Sequence, residues 1–124
     1  MQKNDVIADT YAIVELFKGN KAYKEIALKT RWVLTEHTLV EVYYQALRSE
    51  GEAYAQEVYE RWAERTEPSL KAAVFIGMHL KLQYRRENLS YADCIGWGTA
   101  QALGIPFLTG DKAFKGKPGV LWVR

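Results

Sequence analysis

Three short apolar runs do most to limit what this chain can fold into: Val6-Ile7-Ala8, Trp32-Val33-Leu34 and Ile105-Pro106-Phe107-Leu108. All are too short for helices. The first two run directly into segments with a different period. Ala12, Ile13, Leu16 and Phe17 recur at helical spacing after the first, and Leu39, Val40, Val42, Tyr43 and Leu47 after the second. A short run that is apolar at every position reads as a strand buried on both faces, and strands alternating with amphipathic helices predict an α/β fold with a mostly parallel sheet.

The punctuation between runs agrees. Gly19-Asn20 ends the helix over about 10–18, a second helix covers about 21–29, Thr35 stands as an N-cap, and Gly51 breaks the helix that follows. Ala55, Val58, Tyr59 and Trp62 mark another helix. Pro68 can open a helix reaching about Arg86, within which Val74-Phe75-Ile76 also fits a strand. Ser90 opens a helix that ends at Gly104, and Val120–Val123 reads as the last strand. A chain of 124 residues suffices for one domain and not for two, so residues 1–124 are expected to form one unit.

Where a phosphate-binding α/β turn would carry glycines, the first strand stops on Asp9. Ligands of parallel α/β sheets collect beyond the carboxyl ends of the strands. Asp111 follows the third apolar run at that same edge. Glu41 lies about two turns into the helix after the second run, and Asp93 lies at the start of the helix opened by Ser90. Each acid alone has a plain structural reading. Asp9 can cap a helix, Asp93 can complete a capping box with Ser90, Asp111 can shape a turn, and Glu41 can be a solvated partner of His37 and Arg48. Taken together, four carboxylates meeting at one edge would repel strongly unless a cation neutralised them, and an all-oxygen donor set suits Mg2+ or Mn2+. Such ions activate water and stabilise the oxyanions of a phosphodiester under attack.

On these residues the sequence resembles the PIN-domain ribonucleases, and among them the VapC-like toxins of toxin–antitoxin pairs. Asp9-Thr10 is similar to the family's opening acid and its hydroxyl neighbour, and Glu41-Val42 to its helix-borne glutamate. Ser90-Tyr91-Ala92-Asp93 with Ile95, Thr99 and Ala100 is similar to its third-acid helix. Thr109-Gly110-Asp111-Lys112-Ala113-Phe114 is similar to its fourth-acid motif. Tyr11 stands where many members have Asn. The resemblance implies a three-layer α/β/α sandwich and an Mg2+- or Mn2+-dependent endoribonuclease. It implies Asp9, Glu41, Asp93 and Asp111 as catalytic residues, with Asp9, Asp93 and Asp111 as direct metal ligands. Thr10, Thr109 and Lys112 are expected at the RNA substrate, and a small antitoxin and a second copy of the chain as partners. A housekeeping RNA-processing PIN nuclease, or a PIN module that only binds RNA or protein, shares much of this pattern.

Other features bound the reading. A net charge of +2 is too small to argue for nucleic-acid binding by itself. The single Cys94 cannot form an internal disulfide, the N-terminus lacks a signal-peptide pattern and no run is long enough to span a membrane, so a cytoplasmic protein is expected. Lys112, Lys115 and Lys117 could attract phosphate or merely solvate a loop. His37 and His79 read as structural. Gly96 and Gly98 suggest close packing of their helix on the sheet. Tyr43, Tyr44, Tyr54, Tyr59 and Trp62 suggest an exposed aromatic surface for a homodimer or an antitoxin.

Overall fold

The computed structural model describes residues 4–124. Five strands and six α-helices follow in the order β1 (Asp5–Ala8), α1 (Thr10–Phe17), α2 (Lys21–Lys29), β2 (Arg31–Thr35), α3 (Glu36–Glu50), α4 (Glu52–Ala63), β3 (Thr66–Glu67), α5 (Lys71–Gln83), α6 (Tyr91–Leu103), β4 (Phe107–Thr109) and β5 (Val120–Trp122) among the described residues. Single 3-10 turns cover Arg85–Glu87 and Lys112–Phe114. The sheet order is β3-β2-β1-β4-β5, and every pairing is parallel.

Alternation along the strands explains why the sheet has helices on both faces. Val6, Ala8, Trp32, Leu34 and Leu108 point to one face, where they pack with Ala12, Ile13, Tyr23, Val42, Val58 and Trp62 from α1 to α4. Ile7, Val33 and Phe107 point to the other, against Leu80 of α5, Cys94, Trp97 and Ala100 of α6, and Phe114. The result is the expected α/β/α sandwich. β1 lies at the centre, with the chain moving to β2 on one side and β4 on the other. That reversal leaves a crevice at the carboxyl ends of β1 and β4.

Several boundaries differ from the sequence reading. β3 has no signature in the sequence: Thr66-Glu67 has no apolar residue and is defined by its pairing with Leu34 and Thr35 at the sheet edge. α5 begins at Lys71 rather than at Pro68, and Val74–Ile76 is helical. Its C-terminus comes at Gln83, after which the chain tightens into the 3-10 turn and reverses at Asn88, φ 53°. β4 begins at Phe107 because Pro106 has no N–H to donate, though its carbonyl still accepts from Ile7 at 3.0 Å. Gly51, at φ 94°, both ends α3 and begins α4, a conformation costly for residues with a Cβ.

The two glycines of α6 have different jobs. A Cβ at Gly96 would lie 2.8 Å from the Phe107 ring, so Gly96 packs on the sheet as expected. Gly98 instead faces α5, where a Cβ would lie 2.6 Å from Gly77 N. Gly77 is matched to it, since a Cβ there would meet the Cys94 carbonyl at 2.5 Å. These contacts are with backbone, which cannot rotate away. Gly98→Ala is therefore expected to destabilise the fold by about 2–3 kcal/mol, read as a lower urea midpoint with an unchanged m value.

Candidate active site

Asp9 leaves β1 in extended conformation, φ −88° and ψ 178°, and caps α1: Oδ1 accepts from Ala12 N–H at 2.9 Å. Oδ2 accepts from the Thr109 hydroxyl at 2.5 Å. The backbone of Asp9 is tied to β4 as well, its N–H donating to Leu108 O at 3.1 Å. Capping and site formation thus fall on the same side chain.

Thr109 ends β4 fully buried. Its oxygen also accepts from Asp111 N–H at 3.1 Å, so one hydroxyl links the first and fourth acids. Asp111 Oδ1 accepts from Ala113 N–H at 3.0 Å, which starts the 3-10 turn, and Trp122 Nε1 donates to its carbonyl at 2.8 Å. Asp93 lies in the first turn of α6, where Ser90 Oγ accepts from its N–H at 3.0 Å. Glu41, on α3, receives the Thr10 hydroxyl on Oε1 at 2.7 Å, so it is not held by His37 or Arg48.

All four carboxylates line one cavity of about 570 Å³ at the carboxyl edge of the sheet. For Asp9 and Asp93 that environment disfavours charge. Burial, opposed by the Thr109 and Ala12 hydrogen bonds and reinforced by Asp93 and Asp111, pushes Asp9 up to about 7. Burial, with Glu41 and Asp111 adding repulsion and Ser90 opposing it, pushes Asp93 up to about 6. The side-chain ion pairs among the described residues are Lys18–Glu15, Arg31–Asp5 and Lys117–Glu87, so none neutralises these four acids. An all-oxygen set of mutually repelling carboxylates with no basic partner fits a hard divalent cation. No group of three or more His, Cys, Asp or Glu side chains among the described residues stands ready as a metal-binding set. Mg2+ needs few direct ligands because it keeps several waters.

Thr10 and Thr109 spend their hydroxyls on Glu41 and Asp9. Lys112 is exposed beside Asp111 and does not line the cavity. Lys117 is paired with Glu87, also donates to Ala113 O, and lies over the Tyr84 ring at 4.8 Å, so it is a structural residue. Lys115 rests over the Trp122 ring at 4.8 Å. Tyr11, Glu15, Lys18 and Tyr44 also line the cavity, a role that the sequence reading does not give them. Tyr11, Glu15 and Lys18 follow i, i+4, i+7 spacing, a face that could have been read from α1 alone.

No curated protein matches the sequence significantly. Solved structures do match the fold. A toxin–antitoxin complex from Klebsiella pneumoniae is 22% identical, with 94% of this chain and 95% of that chain covered and a TM-score of 0.74. VapC20 from Mycobacterium tuberculosis, described as a sarcin–ricin loop cleaving toxin, is 17% identical over 96% of this chain and 98% of that one, TM-score 0.74. DNA-bound VapBC from Salmonella typhimurium is 20% identical, with 96% of each chain covered and a TM-score of 0.74. These likenesses speak for the fold. The PIN domain model matches residues 6–119, from the first strand through the fourth-acid motif, and the chain belongs to the PIN domain family.

Proposed function

We propose that this protein is a metal-dependent endoribonuclease acting as the toxin of a VapBC-type pair. The observation that carries the catalytic part is the one cavity lined by Asp9, Glu41, Asp93 and Asp111, with no basic side chain among the described residues paired to any of them. The toxin part rests on the fold matches, whose descriptions name a toxin–antitoxin complex, a sarcin–ricin loop cleaving toxin and a VapBC assembly.

Asp9, Asp93 and Asp111 are the groups that would hold Mg2+ or Mn2+. Bound there, the ion supplies positive charge for the phosphate oxygens and lowers the pKa of a coordinated water. The chain's own residues fix the arrangement. Thr109 orients Asp9 through Oδ2 and anchors Asp111 through its N–H. Thr10 holds Glu41 by Oε1, leaving this carboxylate to accept a proton from the attacking water. The water oxygen forms the new bond to phosphorus, the bond from phosphorus to the ribose oxygen breaks, and the proton taken up by Glu41 is returned through solvent to that leaving oxygen.

An antitoxin and a second copy of the chain are the partners this reading implies, and the cytoplasm is the compartment. Tyr44, Tyr54 and Tyr59 of α3 and α4 are exposed, whereas Trp62 is stacked on Trp32 inside the core, so the available aromatic surface is smaller than five residues. No helix among the described residues is long and apolar enough to cross a membrane.

Cleavage of single-stranded RNA by the purified protein is expected with Mg2+ or Mn2+ and not with EDTA. Cleavage that survives EDTA rejects the metal mechanism.

A further inference from the structure

The cavity wall holds two tyrosines that the carboxylate chemistry does not use. Tyr11, on α1, and Tyr44, on α3, are 38% and 59% exposed and line the same cavity as the acids. Val40, one turn before Tyr44 and beside Glu41, lines the same cavity and is 64% exposed. Exposed tyrosines beside a cluster of acids are poorly explained by folding, because neither ring is needed to close the core.

The two rings are held differently. Tyr11 is backed from inside by Tyr23, centroids 6.2 Å apart at 52°. Tyr23 is itself fully buried and fixed by donating its hydroxyl to Val123 O at 2.6 Å. Gly110 supplies the space for this arrangement, since a Cβ there would lie 2.6 Å from the Tyr23 hydroxyl and press on the Tyr11 ring. Tyr11 is therefore a ring with a rigid rear support and a partly open surface at the cavity. Tyr44 is more exposed and carries the Arg48 guanidinium 5.7 Å from its ring centroid.

We propose that Tyr11, with Tyr44 on the opposing helix, forms a stacking subsite for a nucleobase of single-stranded RNA next to the scissile phosphate. The subsite deepens the nuclease reading above and rests on it for the identity of the polymer. Aromatic rings stack on bases whatever their sequence, because every base has a π-face, and this favours unpaired over duplexed RNA. It also supplies binding that an acidic cavity cannot obtain from charge. Lys18 lies on the same wall but is already paired with Glu15 at 3.5 Å.

The test uses a short single-stranded RNA carrying a fluorescent purine analogue, bound in EDTA so that nothing is cut, and then cleaved in Mn2+. The variants are Tyr11→Leu, Tyr11→Phe and Tyr44→Leu, each checked for an unchanged circular dichroism spectrum and urea midpoint. Binding is expected to quench the analogue with the parent and with Tyr11→Phe, which keeps the ring. Tyr11→Leu is expected to bind roughly tenfold more weakly without quenching, the scale of losing one base–aromatic stack. In Mn2+ the loss is expected in KM rather than kcat, and Tyr44→Leu should show a smaller loss of the same kind. Quenching and affinity unchanged in Tyr11→Leu and Tyr44→Leu would overturn the proposal. Ring-dependent quenching by a parent that fails to cleave in Mn2+ would uphold the subsite and reject the nuclease reading. Cleavage with no tyrosine dependence would do the reverse. Should Tyr11→Leu misfold, quenching that survives in Tyr44→Leu with unchanged affinity counts against the two-ring subsite.

Discussion

Asp9→Asn is expected to lower RNA cleavage by about 10³-fold while leaving the fold intact, the scale of removing a group that stabilises transition-state charge. Asp9 carries two tasks that this substitution separates. As the N-cap it accepts from Ala12 N–H, and Asn caps a helix about as well as Asp does. As a member of the acid cluster it supplies a negative charge, which Asn lacks. The Asn side chain can still accept from Thr109 or from Ala12 through its one carbonyl oxygen, and circular dichroism should be unchanged. Cleavage assays at saturating Mn2+ beside the parent give the measurement. An Asn variant with parental activity would place the chemistry elsewhere.

The second large effect is on stability, and its sign is opposite to that of an ordinary acid. Asp9 at about 7 and Asp93 at about 6 are both raised above the usual carboxylate value. Between about pH 4 and 7 the folded protein thus holds protons that the unfolded chain releases. The protection is full below about pH 4 and is lost as pH rises through the folded values. In EDTA the parent should lose several kcal/mol of stability from about pH 5 to pH 8. The slope is about 1.4 kcal/mol per pH step for each proton that the folded protein still holds and the unfolded chain has released. Asp9→Asn should flatten that slope and be more stable than the parent at the alkaline end. Mn2+ should restore the parent there and affect the variant less. Urea titrations at the two pH values, with and without metal, read all three effects. A parent that gains stability with rising pH in EDTA would contradict the burial argument.

Much of this arrangement is legible in the sequence because strands and helices announce themselves in different periods. Asp9 and Asp111 can be assigned to one edge from sequence, since both follow apolar strands of a parallel sheet. Other features are closed to sequence because they depend on distant residues meeting. Thr66-Glu67 is a strand only by virtue of its neighbour. The Thr109 hydroxyl reaches Asp9 across 100 positions, and Thr10 reaches Glu41 across 31. Gly98 reads as a sheet contact because its helix is buried, yet which buried face it occupies depends on α5. Trp62 reads as surface among four tyrosines until Trp32 appears beneath it.

The central claim is that these carboxylates together hold a divalent cation, and calorimetric titration of the protein with Mn2+ near neutral pH tests it most directly. Because Asp9 and Asp93 are both raised toward neutrality, binding is expected to release protons, seen as a heat that changes with the ionisation enthalpy of the buffer. Asp9→Asn and Asp93→Asn should each weaken binding by at least about tenfold, as the loss of one charged oxygen ligand from a small site requires. No saturable heat with the parent, or equal affinity in the parent and both variants, would contradict the account.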